Sequence, residues 1–356
     1  MIDATGQLAA PYQTMSQSRT LRCAAVLNAN ARGVNRKVHS TLLGILPAEC
    51  VHMSRSEEEA EDIISTLLDS ETDVIFAGGG DGTINQLINT LRRKLRDRGL
   101  PLMRGPLVGL LPLGTGNAMS NYFKVGNPYA DVGRLASGAP LKVQPLRMMQ
   151  WNDELFPFAG MGVDGAILND YIDLKRKAAG TPLQPLCTGL SGYMISLWSR
   201  SIPRALNPRI PMPNMRMWNS GRRAYRVDGD GRRIQAFESG ELMYEGRSLI
   251  AAASTILNYG FDLRLFPFAD ADATRFHVRM YSGKVIVPAS RIHRIFDGTF
   301  QAKGLHDFLA DSVRIEMDEP APFQLAGDAR GWRESLTLEM SDETVPVAVA
   351  DIGAVH

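Results

Sequence analysis

Cysteine is scarce in this 356-residue chain: three occur, Cys23, Cys50 and Cys187. They are odd in number and stand in no CxxC or Cys/His spacing, which argues against a disulfide framework or a zinc site and for buried thiols in a reducing compartment. No run of about 18 apolar residues exists, so no transmembrane helix is expected. The chain does not open on a basic region followed by an apolar stretch, and Asp3 and Gln7 interrupt it early, so no signal peptide is expected. Charge of neither sign is in excess: 39 Lys and Arg stand against 38 Asp and Glu, a formal net charge of +1. That balance argues against nucleic acid as a partner, because its phosphates call for a marked basic excess. The six histidines show no ligand spacing, and isolated ones such as His277 read as structural or exposed. Together these absences place the chain in the cytoplasm and leave peripheral membrane association open.

Hydrophobic residues make up 44% and charged residues 22%, ordinary values for a soluble globular protein. The length exceeds the usual single-core size, so two domains are expected. Residues 1–20 are polar and patternless and read as a flexible tail. Leu21–Leu27 reads as a buried strand, followed by a polar turn, Asn28 to Gly33. A serine start at Ser56 with acidic residues at 57–59 opens a helix. Asp73–Ala77 is a short apolar strand running into Gly78-Gly79-Gly80-Asp81-Gly82-Thr83. Ile84, Leu87, Ile88, Leu91 and Leu95 then recur at helical spacing. A further strand, Leu107–Leu111, enters a second turn, Pro112-Leu113-Gly114-Thr115-Gly116-Asn117.

Strand, turn, helix repeated in this way predicts a parallel α/β sheet, and ligands of such sheets sit at the carboxyl edge of the strands, where both glycine turns fall. After about residue 145 the pattern changes to short strand-like segments, among them Leu155–Ala159, Ala224–Val227, Leu249–Ala253, Phe276–Tyr281 and Val313–Met317, separated by turns such as Asp228-Gly229-Asp230-Gly231. The expected division is an α/β domain over 21–145, a β-rich, mostly antiparallel domain over 146–325 that takes the acceptor substrate, and a segment 326–356 returning to the first domain.

The glycines at 78, 79, 80 and 82 free the backbone to adopt positive φ and to approach a ligand without Cβ clashes. A helix starting near Thr83 turns free N–H groups and a positive dipole end toward phosphate. The loop is neither Walker A nor GxGxxG, since no Gly-Lys-Ser/Thr follows and Thr83 takes the last glycine's place. Asp81 beside phosphate calls for an intervening magnesium ion or a role as proton acceptor; a backbone-capping turn aspartate is the bland alternative. Thr115 and Asn117 add neutral donors.

These two turns, Gly-Gly-Gly-Asp-Gly-Thr at 78–83 and Pro-Leu-Gly-Thr-Gly-Asn at 112–117, resemble the diacylglycerol-kinase catalytic family, which includes soluble bacterial lipid kinases, sphingosine kinases and ceramide kinases. Gly160-Met161-Gly162-Val163-Asp164 resembles the family's Gly-x-Gly-x-Asp segment, and Asn28 matches the asparagine of its Asn-Pro-x-x-Gly turn, with Ala29 in the proline's place. The resemblance implies an N-terminal NAD-kinase/diacylglycerol-kinase-like α/β domain, a C-terminal antiparallel β-sandwich, ATP with Mg2+ as cofactors, and a lipid acceptor at a membrane surface: diacylglycerol, a sphingoid base or ceramide. Nucleotide contacts would come from Asn28, Gly78, Gly79, Gly80, Gly82, Thr83, Gly114, Thr115, Gly116 and Asn117, the acceptor hydroxyl would be oriented by Asp164, and the base would be Asp81 or Asp328.

Two departures stand out. Gln86 replaces the family's usual glutamate, and Ala326-Gly327-Asp328 stands where the family carries Asp-Gly-Glu. They keep open a non-catalytic nucleotide- or lipid-binding homologue. A NAD-kinase-like or phosphofructokinase-like small-molecule kinase is a further alternative, against which the second turn argues. The excursion from Ile202 to Trp218, with Arg204, Arg209 and Arg216 among Leu206, Ile210, Met212, Met215 and Met217, reads as irregular chain, either a lipid-facing surface or a flap packed on its own domain or on a partner in a homodimer.

Overall fold

A computed structural model describes residues 20–184, 186–203 and 213–350. Residues 1–19 of the expected tail, and Arg204, Leu206, Arg209, Ile210 and Met212 of the excursion, lie outside the described residues. The chain divides into two compact units, with boundaries after Arg147 and after Ser341.

The first unit holds strands β1 (Cys23–Asn28), β2 (Val51–Ser54), β3 (Val74–Gly79) and β4 (Leu107–Pro112) and helices α1 (Arg36–Leu43), α2 (Glu57–Asp69), α3 (Asp81–Asp97), α4 (Ala118–Tyr122) and α5 (Pro128–Ala136). The four strands pair in parallel in the order β2-β1-β3-β4. Every residue of β3 is buried, because helices cover both faces of such a sheet and the strand therefore reads as a continuous apolar run. Ala25, Leu27, Val74 and Phe76 point to one face, where they pack with Val38 and Leu42 of α1 and Val132 and Leu135 of α5. Val26 points the other way, toward Ile64 of α2 and Leu87 of α3. Helix α2 starts as its sequence dictates: Ser56 Oγ accepts from the Glu59 amide at 3.2 Å, and Glu57, Glu58 and Glu59 sit in the positive first turn.

The second unit follows β5 (Leu141–Trp151) with β6 (Glu154–Phe156), β7 (Phe158–Gly162), α6 (Val163–Ala178), α7 (Gly189–Ser196), β8 (Asn214–Asn219), β9 (Ala224–Val227), β10 (Arg233–Phe237), β11 (Leu242–Arg247), β12 (Ile250–Ser254), β13 (Phe276–Tyr281), β14 (Leu305–Ala310), β15 (Ser312–Leu325) and β16 (Asp328–Ala350). Its pairings are antiparallel, in the order β10-β9-β14-β13-β12-β7-β15-β16. Strand β15 serves two sets of partners: its first half pairs with β8 and its second half with β7, with a register shift between Glu316 and Ala321.

Several expectations change. The excursion ends in regular structure, since Asn214–Asn219 is a strand paired with β11 and β15 and its Met215 and Met217 are fully buried. A return to the first unit was expected from residue 326, but β16 stays paired with β15 as far as Glu339. Only from Asp342 onward does the chain join the first unit, where Val347 and Ala348 add a parallel partner to β4 and Glu343 meets Arg92 at 2.6 Å.

Candidate functional site

In the order β2-β1-β3-β4 the chain winds outward in opposite directions from β1 and β3, and the carboxyl ends of those two strands flank the crevice where such sheets hold ligands. Asn28 ends β1, and Gly78 and Gly79 end β3. The two ends are tied together: Asn28 Nδ2 donates to Thr83 Oγ1 at 3.0 Å, while Asn28 Oδ1 accepts from the Asn30 amide at 2.9 Å. Because Thr83 Oγ1 accepts that bond, its own proton is left for another acceptor. Helix α3 begins at Asp81, two residues earlier than the sequence suggested, and its N-cap, Gly80, brings no side-chain cap. An uncapped helix start in a glycine turn presents N–H groups and a positive dipole end, the arrangement that suits phosphate.

The glycines are there for close approach, and here the expectation of positive φ is corrected. Gly80 has φ −94°, and Gly78, Gly79, Gly82, Gly114 and Gly116 are all absent from the left-handed residues. A Cβ on Gly78 would lie 2.3 Å from the Leu27 side chain, and one on Gly79 2.4 Å from Thr83 Oγ1. A Cβ on Gly114 would lie 2.1 Å from the Gly80 Cα. The two turns therefore touch backbone to backbone, and only glycine allows it. The left-handed residue of the second turn is Asn117, at φ 52°, whose Oδ1 accepts from the Gly114 amide at 3.1 Å.

Asp81 joins the turns. It is 7% exposed, and its Oδ2 and Oδ1 accept from the amides of Ala118 and Met119, each at 2.9 Å. Both oxygens are thus committed to the first turn of α4. Gly33 completes the assembly: its amide donates to the Leu113 carbonyl at 2.8 Å, and a Cβ there would come within 2.5 Å of that oxygen.

Beside this cluster a cavity of about 240 Å3 opens between β1, β2, α2 and α3, lined by Asn28, Thr83 and Gln86 together with Asn30, Ser54, Arg55, Ser56 and Thr90. The last five were missed by sequence reasoning. The missing signal was β2, whose four residues Val-His-Met-Ser carry no alternation strong enough to mark a strand, so the residues after its carboxyl end were not recognised as edge residues.

The remaining candidates belong to the second unit. Asp164 is the second residue of α6; its side chain lies outside the described residues. Ala326 and Gly327, at φ 48° and 85°, are the two central residues of the hairpin turn between β15 and β16, and Asp328 stands exposed after them, paired with Leu325. The Ala326 amide donates to the Phe158 carbonyl, at the start of β7, whereas Asp164 follows the end of that strand. The backbone therefore sets positions 164 and 328 at opposite ends of β7. Among the described residues no group of three or more His, Cys, Asp or Glu side chains is arranged to hold a metal ion.

Residues 24–148 match the diacylglycerol kinase catalytic domain. Over that segment the chain carries a domain of the diacylglycerol kinase catalytic family. Similar folds occur in solved structures from Bacillus anthracis str. Sterne. A "putative diacylglycerol kinase" is 18% identical, with 97% of this chain and 100% of that chain covered at a TM-score of 0.62. A diacylglycerol kinase from the same organism is 16% identical over 92% of this chain and 97% of that one, at a TM-score of 0.57. No curated protein matches the chain by sequence. These likenesses bear on the fold, a mixed sheet that is parallel in its N-terminal strands and antiparallel in its C-terminal ones.

Proposed function

We propose that the protein is an ATP-dependent lipid kinase that transfers the γ-phosphate to a hydroxyl of an acyl lipid or related amphiphile. The observation that carries the lipid reading is an apolar cavity of about 140 Å3 in the second unit, walled by side chains such as Ile167, Leu197, Leu249, Val285 and Phe300. A cavity of that character takes hydrocarbon and has little to offer a sugar phosphate or a dinucleotide. The nucleotide reading rests on the stapled glycine turns and the family domain that carries them.

In this reading the amides at the start of α3 and the Thr83 hydroxyl bind phosphate oxygens, and Asn28 orients Thr83. Asn117 shapes the second turn by bonding Gly114, and the cavity beside Asn30, Ser54 and Arg55 takes the remainder of the nucleotide. Asp81, with both oxygens on backbone amides, acts as a positioning residue. That leaves Asp328 as the carboxylate to accept the proton of the attacking hydroxyl. Magnesium, when bound, neutralises phosphate charge, and few protein carboxylates are needed for it.

Exposed Ile172, Leu183, Leu186, Ile195 and Trp198, in and between α6 and the turns after α7, lie on a stretch that also carries Lys175, Arg176 and Lys177. Apolar side chains beside basic ones support a peripheral contact with an anionic lipid surface. No helix among the described residues is long and apolar enough to cross a membrane.

Incubation with labelled ATP, Mg2+ and a panel of diacylglycerol, ceramide and sphingoid base in vesicles, with the labelled product identified, tests the proposal. A labelled lipid supports it; nucleotide binding without a labelled lipid favours the second reading, a non-catalytic homologue. Ala326 motivates that second reading, because a fully buried methyl group occupies the turn where the family carries a carboxylate.

A further inference from the structure

The wall of the apolar cavity carries one charged residue, Arg279. Alternation along β13 puts His277, Arg279 and Tyr281 on one face of the sheet, and the register sets Asp307 of β14 directly opposite Arg279. Asp307 Oδ1 accepts from Arg279 Nε at 2.7 Å and from His277 Nε2 at 2.9 Å, and its Oδ2 accepts from Arg279 Nη2 at 3.0 Å. All three residues are buried, with exposures of 0% for His277, 2% for Arg279 and 4% for Asp307. Burial pushes the His277 imidazole down toward its neutral form, against the pull of Asp307. Burial pushes the Asp307 carboxyl up, but Arg279 and His277 beside it prevail and hold it well below the usual carboxylate range.

A buried ion pair is costly to desolvate, and apolar side chains of similar volume would hold this sheet about as well. What the pair provides is a fixed donor on an apolar wall. Two of the three guanidinium nitrogens are spent on Asp307, and Nη1 has no hydrogen-bond partner among the described residues. The other polar side chains among its lining residues are those of Tyr193, Tyr259 and Tyr281, and no carboxylate lines it. Such a wall offers hydrogen bonds to an acceptor and has no anion for an ammonium group.

We infer that Arg279 is a specificity-determining residue that reads the carbonyl of an acyl chain entering this cavity. The acceptor class is therefore esters or amides of fatty acids, and long-chain ammonium bases are disfavoured. The inference rests on the lipid-kinase proposal only in calling the ligand the acceptor. At about 140 Å3 the cavity compares with one that holds benzene, so a short chain is the right probe.

The test is calorimetric titration of the full chain with methyl hexanoate, N-methylhexanamide, hexylammonium and benzene, without nucleotide. The ester or the amide should bind at least about tenfold more tightly than benzene or hexylammonium, the value of a hydrogen bond to a charged group; which of the two binds better separates glycerol esters from N-acyl lipids. Ala289→Phe, which fills the cavity, should abolish binding of all four probes. Single removal of Arg279 leaves the Asp307 charge buried with only the His277 bond, so the informative variant is Arg279→Met/Asp307→Asn, which keeps an acceptor for His277. It should still bind benzene and lose the carbonyl preference. Hexylammonium binding as tightly as methyl hexanoate, an unchanged preference in the double variant, or binding that survives Ala289→Phe would each overturn the inference. None of these readouts needs phosphoryl transfer, so they can fail while lipids are phosphorylated, and hold where no lipid is.

Discussion

Replacing Asp81 with asparagine separates two roles that its sequence position leaves entangled. A proton acceptor loses turnover when neutralised but leaves folding and nucleotide affinity nearly untouched. The geometry assigns a different loss. Asp81 is 7% exposed and takes the amides of Ala118 and Met119 at 2.9 Å each. Asparagine keeps one acceptor oxygen, leaves the other buried amide without a partner, and turns an NH2 group toward it. Hydrogen bonds to charged groups are worth about 1.5–3 kcal/mol, and an orphaned buried donor carries its own desolvation penalty. The expected cost is about 2–3 kcal/mol, which for a unit of this size is a fall in Tm of roughly 5–10 °C. Because the bonds hold the two glycine turns together, nucleotide affinity should fall as well, and turnover at saturating nucleotide should fall less than Asp328→Asn makes it fall. Differential scanning fluorimetry, nucleotide titration and steady-state kinetics on the three proteins decide it. An unchanged Tm and affinity with collapsed turnover would refute the positioning role and return Asp81 to the chemistry.

Other consequences are as direct. Gly114→Ala places a Cβ 2.1 Å from the Gly80 Cα; backbone cannot yield cheaply there, so a loss of about 1–3 kcal/mol and of nucleotide binding is expected, and a variant that still binds nucleotide with parental affinity would show that the turns do not need their contact. Burial lowers the pKa of His52, His277 and His306 in the folded protein. The unfolded chain then takes up protons first, so this stability is present above the ordinary histidine pKa and is lost as pH falls below it; a Tm that stays flat between pH 7 and 5 would contradict the burial of these rings. Burial, with Asp73 and Cys50 nearby, pushes the Cys23 thiol up to about 12, so iodoacetamide at pH 8 should leave Cys23 unmodified in the native protein and label it after denaturation, as peptide mass spectrometry would read.

The part of the site that sequence reveals is the part built from local chain. Each glycine turn is a contiguous run between a strand and a helix, so its residue types and its place at the sheet edge follow from pattern alone. The reason for the glycines did not follow, because the contact that demands them pairs Gly80 with Gly114, and Gly78 with Leu27, across distant stretches of chain. The same holds for Asp81, whose neighbours in sequence say phosphate while its hydrogen bonds run to residues 118 and 119. Strand β2 was invisible for a different reason: its four residues gain their strand geometry from parallel pairing with β1, not from any alternation of their own.

The second unit was legible as strands and opaque as a site. Its cavity is walled by side chains drawn from Val163 through Leu305, none of which is polar enough to attract notice in the sequence except Arg279. Arg279 sits inside Phe-His-Val-Arg-Met-Tyr, a strand-like segment whose alternation would suit one face in water. All six residues are buried instead. The polar face of β13 is dry because Asp307 on the neighbouring strand satisfies both His277 and Arg279. A period-two pattern therefore identifies which residues share a face but leaves open whether that face meets water or a ligand. What distinguishes the two here is the partner strand: a carboxylate placed opposite an arginine allows the charge to be buried, and a buried arginine with one nitrogen unspent is a recognition element.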